Sequence, residues 1–314
     1  MSKKIAILFP GQGSQYEGMG KDILESKSCE DIYNIFEKIV DKETFEIVKE
    51  ASLESLSRTR YAQLAIFLNS MCLYSIIKEE ILDKDNIQVE SMAGLSLGEY
   101  SALCASSIID LESAIELVYN RGIIMEKGAA NKGSMMAILK SDMDTVSSLI
   151  EKARKEQVLS ICNLNSPSQI VVGGEYSALD RLEKLCKENK IKRTVRLDVE
   201  GPFHTEILRE SSNEFEDYLK RVTFKNSNLD VFSNLDAKVY TKDSDIVAKL
   251  KEQMCSTVLF EECILNMISQ GCDTFIEIGP GKTLTGFVKK IDKTVEVLNI
   301  EKLSDMDKIK KYEV

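Results

Sequence analysis

The stretch that most constrains this chain is Ala93-Gly-Leu-Ser-Leu-Gly-Glu-Tyr100. Gly94-x-Ser96-x-Gly98 has the spacing of a nucleophile elbow, in which a strand turns sharply into a helix and leaves the central serine hydroxyl exposed at the end of a sheet. Glycine is required on both sides because a Cβ there would meet the folded-back backbone. The flanks agree: Val89 and Met92-Ala93 read as a short buried strand, and residues 99–108 as a helix rich in Ala and Leu. Three fixed positions in five also fit a plain Gly-Ser turn, so the motif needs support from the rest of the chain.

With 314 residues the chain can bury a substantial core, as one large domain or two smaller ones. A formal net charge of −10 argues against nucleic acid as the main partner. The eight cysteines are scattered, with no C-x-x-C pair, which fits buried reduced thiols and a reducing cytoplasm. Ile5 to Pro10 is too short for a signal-peptide core, and Leu64 to Ile77, interrupted by Asn69 and Ser70, is too short and polar for a membrane span. These features lead us to expect a cytoplasmic, enzyme-sized protein.

Read in order, Ile5 to Phe9 is an apolar run suited to a central parallel strand, followed by Pro10-Gly-Gln-Gly-Ser-Gln15. Dinucleotide binding would need Gly where Tyr16 stands, but the loop can still present backbone N–H groups to negative charge. Residues 17–85 read as mostly helical, with apolar faces at Ile32, Ile35, Phe36, Ile39 and at Leu64, Phe67, Leu68, Met71. Asp110 can cap a helix to about Lys127 whose stripe holds Ala114, Val118, Arg121 and Met125. An arginine inside an apolar stripe either snorkels, pairs with a structural carboxylate, or serves a site.

Between Ser134 and Asp198 the order is strand (135–139), helix (142–155), strands (158–163 and 169–172) around an Asn165-Ser-Pro-Ser168 turn, helix (176–190) and strand (193–197). This βαββαβ order is ferredoxin-like and suggests a small subdomain on a larger α/β one, with a cleft between them. A helix over 206–219 and strands at 229–232, 274–278 and 295–300 follow, with a charged, peripheral tail over 301–314. Gly279-Pro-Gly-Lys-Thr283 falls short of a P-loop because Ile276 stands where its first glycine belongs. His204 is the only histidine, so it is the one imidazole available as base to a serine nucleophile, and with no cysteine cluster it leaves little to ligate a metal.

Six motifs occur in order: Phe9-Pro-Gly-Gln-Gly-Ser-Gln15, Gly94-Leu-Ser-Leu-Gly-Glu-Tyr100, Arg121-Gly122, Asn163-Leu-Asn-Ser-Pro167, Gly201-Pro-Phe-His204 and Glu277-Ile-Gly-Pro-Gly281. Together they resemble the malonyl-CoA:acyl-carrier-protein transacylases of bacterial fatty-acid synthesis. The resemblance implies a hydrolase-like α/β acyltransferase core over 1–127 and 199–314, with the ferredoxin-like subdomain inserted over 128–198. It implies malonyl transfer from malonyl-CoA to the phosphopantetheine thiol of acyl carrier protein, by a ping-pong route through a malonyl-serine. Ser96 would be the nucleophile and His204 the base. The backbone N–H groups of Gln12 and Leu97 would form the oxyanion hole, with donors each contributing about 3 kcal/mol. Arg121 would bind the malonyl carboxylate, the Gln253 main-chain carbonyl would orient His204, and Gln63, Asn163, Phe203 and Met125 would line the pocket. No tightly bound cofactor or metal, no nucleic acid and no membrane are implied, and a monomer is expected.

The alternatives are a trans-acting acyltransferase or an acyl hydrolase serving a polyketide synthase, or a non-catalytic carrier-binding subunit that kept the fold. An acid between residues 96 and 204, as in hydrolases, would have to be found near the histidine, where Asp198 is the candidate by proximity alone. Three positions depart from the family pattern: Leu95 where His is common, Glu200 where a small residue is usual, and Thr257 where Pro is common. Lys190, Lys192, Arg193 and Arg196 form the densest basic stretch, either a charge-protected strand edge or a docking patch for an acidic partner.

Overall fold

The computed structural model describes residues 3–83 and 87–310. Residues 84 and 85 of the expected helical stretch, and 311–314 of the tail, lie outside them. Strands β1 (Ile5–Phe9), β2 (Val89–Gly94), β3 (Ser134–Leu139), β4 (Leu159–Ser166), β5 (Gln169–Gly174), β6 (Thr194–Arg196), β7 (Asp230–Val231), β8 (Thr274–Ile278) and β9 (Glu296–Ile300) fall into two sheets. The larger has the order β7-β2-β1-β8-β9 and is parallel throughout. β1 and β8 are buried along their whole length, which is why they read as continuous apolar runs rather than alternating ones.

The N-terminal helical stretch resolves into α1 (Lys27–Ile39), α2 (Lys42–Glu50), α3 (Leu53–Leu56) and α4 (Thr59–Ile77). In α1, Ile32 and Phe36 are buried, whereas Ile35 and Ile39 are half-buried at the edge of the same core. Helix α4 is apolar on nearly every face and is enclosed by its neighbours. After the elbow come α5 (Leu97–Ala105) and α6 (Leu111–Ala129), the latter capped as expected by Asp110, whose carboxylate accepts from Ser113 N at 2.8 Å. Gly122 lets α6 close on α4, since a Cβ there would stand 2.8 Å from Arg60 Cα.

The smaller sheet is antiparallel, in the order β4-β5-β3-β6, with α7 (Met143–Arg154) and α8 (Tyr176–Glu188) crossing between its strands in the ferredoxin-like pattern. Its strands alternate. Met136, Ile138, Ile170 and Val172 pack with α7 and α8, while Met135, Ala137 and Val171 face the core of the larger lobe. Two expectations need correction here. Residues 165 and 166 belong to β4, because Ser166 pairs with Gln169 and leaves only Pro167 and Ser168 for the turn. Residues 206–219 begin as a 3₁₀ turn (Glu206–Leu208) before α9 (Arg209–Leu219).

The remaining helices are α10 (Ile246–Gln253), α11 (Phe260–Ser269), α12 (Thr283–Ile291) and α13 (Asp307–Lys310). Glu277 is buried and accepts from Leu284 N at 3.0 Å and Thr285 N at 2.7 Å. The Glu277–Gly281 motif therefore caps α12 and is structural. Two of the unusual residues make specific contacts, one within the larger lobe and one between the lobes. Glu200 accepts from Thr59 N at 2.6 Å, capping α4, where Arg58 supplies no side-chain cap. Thr257 donates its hydroxyl to Ile161 O at 2.8 Å, beside the Leu164 N to Val258 O bond at 2.9 Å.

Candidate active site

The parallel register places Phe9 beside Gly94, so the loops after β1 and β2 leave the sheet side by side at its carboxyl edge. At the elbow the chain doubles back tightly. A Cβ on Gly94 would lie 1.9 Å from Gly98 C, and one on Gly98 would lie 2.1 Å from Phe9 O. Ser96 sits at the tip with φ 54° and ψ −97°, a conformation a non-glycine residue adopts only when its surroundings impose it. Those surroundings are identifiable. Asn234 Oδ1 accepts from Ser96 N at 2.7 Å, Asn234 Nδ2 donates to Gly94 O at 2.8 Å, and Gln253 Nε2 donates to Ser96 O at 3.0 Å.

Ser96 Oγ lies 2.7 Å from His204 Nε2, and His204 Nδ1 lies 2.7 Å from Gln253 O. A carbonyl can only accept, so Nδ1 carries the proton and Nε2 is left bare to receive the serine proton. His204 also has a positive φ, 59°, so both members of the pair are held in unusual backbone geometry. Burial, reinforced by the nearby Arg121 charge, lowers its pKa to about 4, against the raising effect of the Gln253 carbonyl. The imidazole is therefore neutral at neutral pH. Asp198 is not its orienter: it is exposed and lines the outer cleft.

Arg121 is fully buried. Its Nη1 donates to Gln63 Oε1 at 2.8 Å, and its Nη2 to Gln253 Oε1 at 2.9 Å and Ser96 Oγ at 3.1 Å. None of these acceptors is a carboxylate, and Nε has no partner. The guanidinium also stands 5.2 Å from the centre of the Tyr100 ring. Burial pulls the Arg121 pKa down, yet an arginine stays protonated in proteins, so the site holds a cation that no anion touches.

A cavity of about 110 Å³ opens onto these groups, lined by Gln12, Gln63, Leu95, Ser96, Leu97, Arg121, Met125, Asn163, Phe203 and His204, with Met135, Asn165, Val171, Leu197 and Val199 forming the rest of its wall. A wider cleft of about 580 Å³ shares Gln12, Leu95, Asn165, Val171, Leu197 and Val199 with it and runs out between the lobes. The residues singled out for the site from the sequence thus line the inner cavity, except Gln253, which lies behind Arg121 and His204, and Asp198, which lines only the outer cleft. Leu97 opens α5, and neither its N–H nor that of Gln12 has an acceptor among the described residues. Leu95 adds apolar wall to both spaces.

An acyl transferase domain model matches residues 7–311. The malonyl CoA-acyl carrier protein transacylase of Bacillus subtilis is 36% identical over 300 residues, which cover 95% of this chain and 93% of that one. The chain belongs to this acyl transferase family, among the malonyl CoA-acyl carrier protein transacylases. The crystal structure of the transacylase from Clostridium perfringens superposes with a TM-score of 0.90 at 36% identity, covering 98% of this chain and 96% of that one. A malonyl-transacylase solved in complex with a type II PKS acyl-carrier protein gives a TM-score of 0.91 at 29% identity, covering 97% and 98%.

Several residues of this transacylase-family site escape sequence reasoning. Glu99 and Asn234 are buried, and Tyr240 nearly so, in one network with Gln253. Asn165 is also buried, and its Oδ1 has no partner although it borders both cavities. Asn165 and Glu99 lie inside the Asn163–Pro167 and Gly94–Tyr100 motifs, but their surroundings are set by residues distant in sequence. In the basic stretch, Arg196 is paired with Asp180 at 2.7 Å and Glu183 at 3.2 Å, leaving Lys190, Lys192 and Arg193 exposed.

Among the described residues no helix is long and apolar enough to cross a membrane. All eight cysteines are free and buried, in line with the reading of reduced thiols.

Proposed function

We propose that this chain transfers a malonyl group from malonyl-CoA to the phosphopantetheine thiol of an acyl carrier protein, through a malonyl ester on Ser96. The observation that carries the reading is Arg121: a fully buried guanidinium with no carboxylate partner, 3.1 Å from the Ser96 hydroxyl. A dicarboxylic acyl group supplies the missing anion at the distance a short chain spans.

In the first half-reaction Ser96 Oγ attacks the thioester carbonyl as its proton passes to His204 Nε2. The tetrahedral oxyanion is met by the Gln12 and Leu97 N–H groups, the latter at the start of α5. Collapse breaks the C–S bond, and the coenzyme A sulfur leaves with the proton from His204. In the second half the carrier thiol gives its proton to the same nitrogen and attacks the ester carbonyl. Ser96 then departs and regains the proton. Gln253 O holds the imidazolium formed in each half-reaction through the Nδ1–H bond.

Both thioesters end in the same pantetheine arm, which the interlobe cleft accommodates, and the free Oδ1 of Asn165 offers an acceptor to one of its amide N–H groups. Phe203, Met125 and Leu95 supply apolar wall beside the acyl chain. Division at about residues 128 and 198 gives a catalytic core and a small lobe that closes this cleft. The test is transfer of radiolabelled malonyl from malonyl-CoA to holo carrier protein. Label appearing on the carrier is expected; release of free malonate instead would favour the hydrolase alternative.

A further inference from the structure

Gln253 touches the nucleophile, the base and the arginine of the site. Its main-chain oxygen holds His204, its Oε1 accepts from Arg121, and its Nε2 donates to Ser96 O. A side-chain amide has one accepting and one donating end, so something must decide which end meets Arg121. Glu99 does so. It is fully buried, and its Oε2 accepts from Gln253 Nε2 at 2.6 Å, while its Oε1 accepts from Tyr240 Oη at 2.6 Å and Asn234 N at 3.2 Å. The Gln253 and Asn234 groups can only donate, and this favours a carboxylate that only accepts. With the Gln253 amide turned over, its oxygen would face that carboxylate and its NH₂ would face the guanidinium. Both contacts would be repulsive.

From this geometry, and resting on the malonyl-transfer reading above, we infer that Glu99 is a positioning residue for acyl-group selectivity: through the Gln253 amide it fixes the Arg121 guanidinium for a carboxylate-bearing acyl chain. The arrangement also explains why the arginine is held without being neutralised. Its anchors are two neutral amide oxygens, and the nearest negative side chain stands one residue further back. The other anchor, Gln63, has only the weak acceptor Met125 Sδ, at 3.6 Å from its Nε2, to set its orientation, so the Glu99 side carries the directional control. His204 is bound to the main chain of Gln253, not to its amide. Disturbing the amide therefore acts on the carboxylate clamp more than on general-base chemistry.

The test compares kcat/KM for malonyl-CoA and acetyl-CoA, with holo carrier protein as acceptor, in the wild type, Glu99→Gln, Gln253→Met and the double variant. In Glu99→Gln the malonyl-to-acetyl ratio is expected to fall about tenfold or more, because a glutamine can face Gln253 in either sense and only the longer bond to the Ser96 carbonyl is left to orient the amide. Gln253→Met, which keeps the main-chain carbonyl, should lower the ratio similarly, and the double variant should lower it no further than Gln253→Met. A ratio in Glu99→Gln within about twofold of wild type, as a merely structural role would give, overturns the inference, as does full additivity in the double variant. Should Glu99→Gln fail to fold, Glu99→Asp, which draws the carboxylate back from the Gln253 amide, is read by the same ratio against the same limits. Loss of malonyl transfer in the wild type itself would instead sink the functional reading.

Discussion

The two lobes share one cavity but contribute unlike things to it. The α/β lobe supplies Ser96, Arg121, Gln63, His204 and the two candidate oxyanion donors, held by strained backbone and buried hydrogen bonds. The small lobe supplies Met135, Asn163, Asn165, Val171 and Leu197, an apolar wall with two amides and no charge. The charged and titratable groups that line the cavity thus all come from the α/β lobe, as preorganised donors for developing charge would require. The antiparallel sheet forms one wall of the cavity and of the wider cleft. Its inward face comes from period-two alternation, which leaves the opposite face free to pack on α7 and α8.

The comparison is sharpened most by Arg121→Ala. Removing the cation should lower malonyl kcat/KM by about a hundredfold or more while leaving acetyl transfer much less affected. Equal losses for both acyl groups would show that Arg121 supports the fold rather than the carboxylate.

How much of this could be read in advance depends on the range of the interaction. Asp110 as a cap, the βαββαβ order and the elbow are local patterns, each read from residues near in sequence. The Glu99–Gln253 and Ser96–Asn234 contacts join residues more than a hundred positions apart, and no periodicity announces them. The Asn165-Ser-Pro-Ser168 segment misleads because its composition is that of a turn, whereas pairing with β5 keeps its first two residues in the strand. Leu95, Glu200 and Thr257 are departures whose consequences needed packing to interpret. Leu95 lines both cavities, Glu200 caps α4 within the larger lobe, and Thr257 ties the two lobes together.

The pH dependence is the next test of the large-lobe side. With the His204 pKa lowered to about 4, the acid limb of serine acylation should fall near that value rather than near the ordinary histidine range. The linkage sign is also defined. A histidine whose folded pKa lies below its unfolded value leaves stability intact above the unfolded value and removes it as pH falls toward the folded one. Unfolding followed by circular dichroism should therefore show stability declining on acidification below about pH 6.5. A His204→Gln variant should show less of that decline, and an equal decline would assign it to carboxylates instead.

The smallest effect belongs to the other lobe. Asn165→Ala should raise KM for malonyl-CoA by about threefold to tenfold with kcat nearly retained, since a single neutral hydrogen bond to the arm is lost. A fall in kcat comparable to that of Arg121→Ala would break the division between a chemical lobe and a containing one.

The central claim, a malonyl ester on the elbow serine, is tested most directly by incubating the protein with malonyl-CoA and mapping the acylated peptide by mass spectrometry. The account predicts one added malonyl group on Ser96, absent from Ser96→Ala. An adduct on a neighbouring residue such as Ser101, or one that persists in Ser96→Ala, would contradict it.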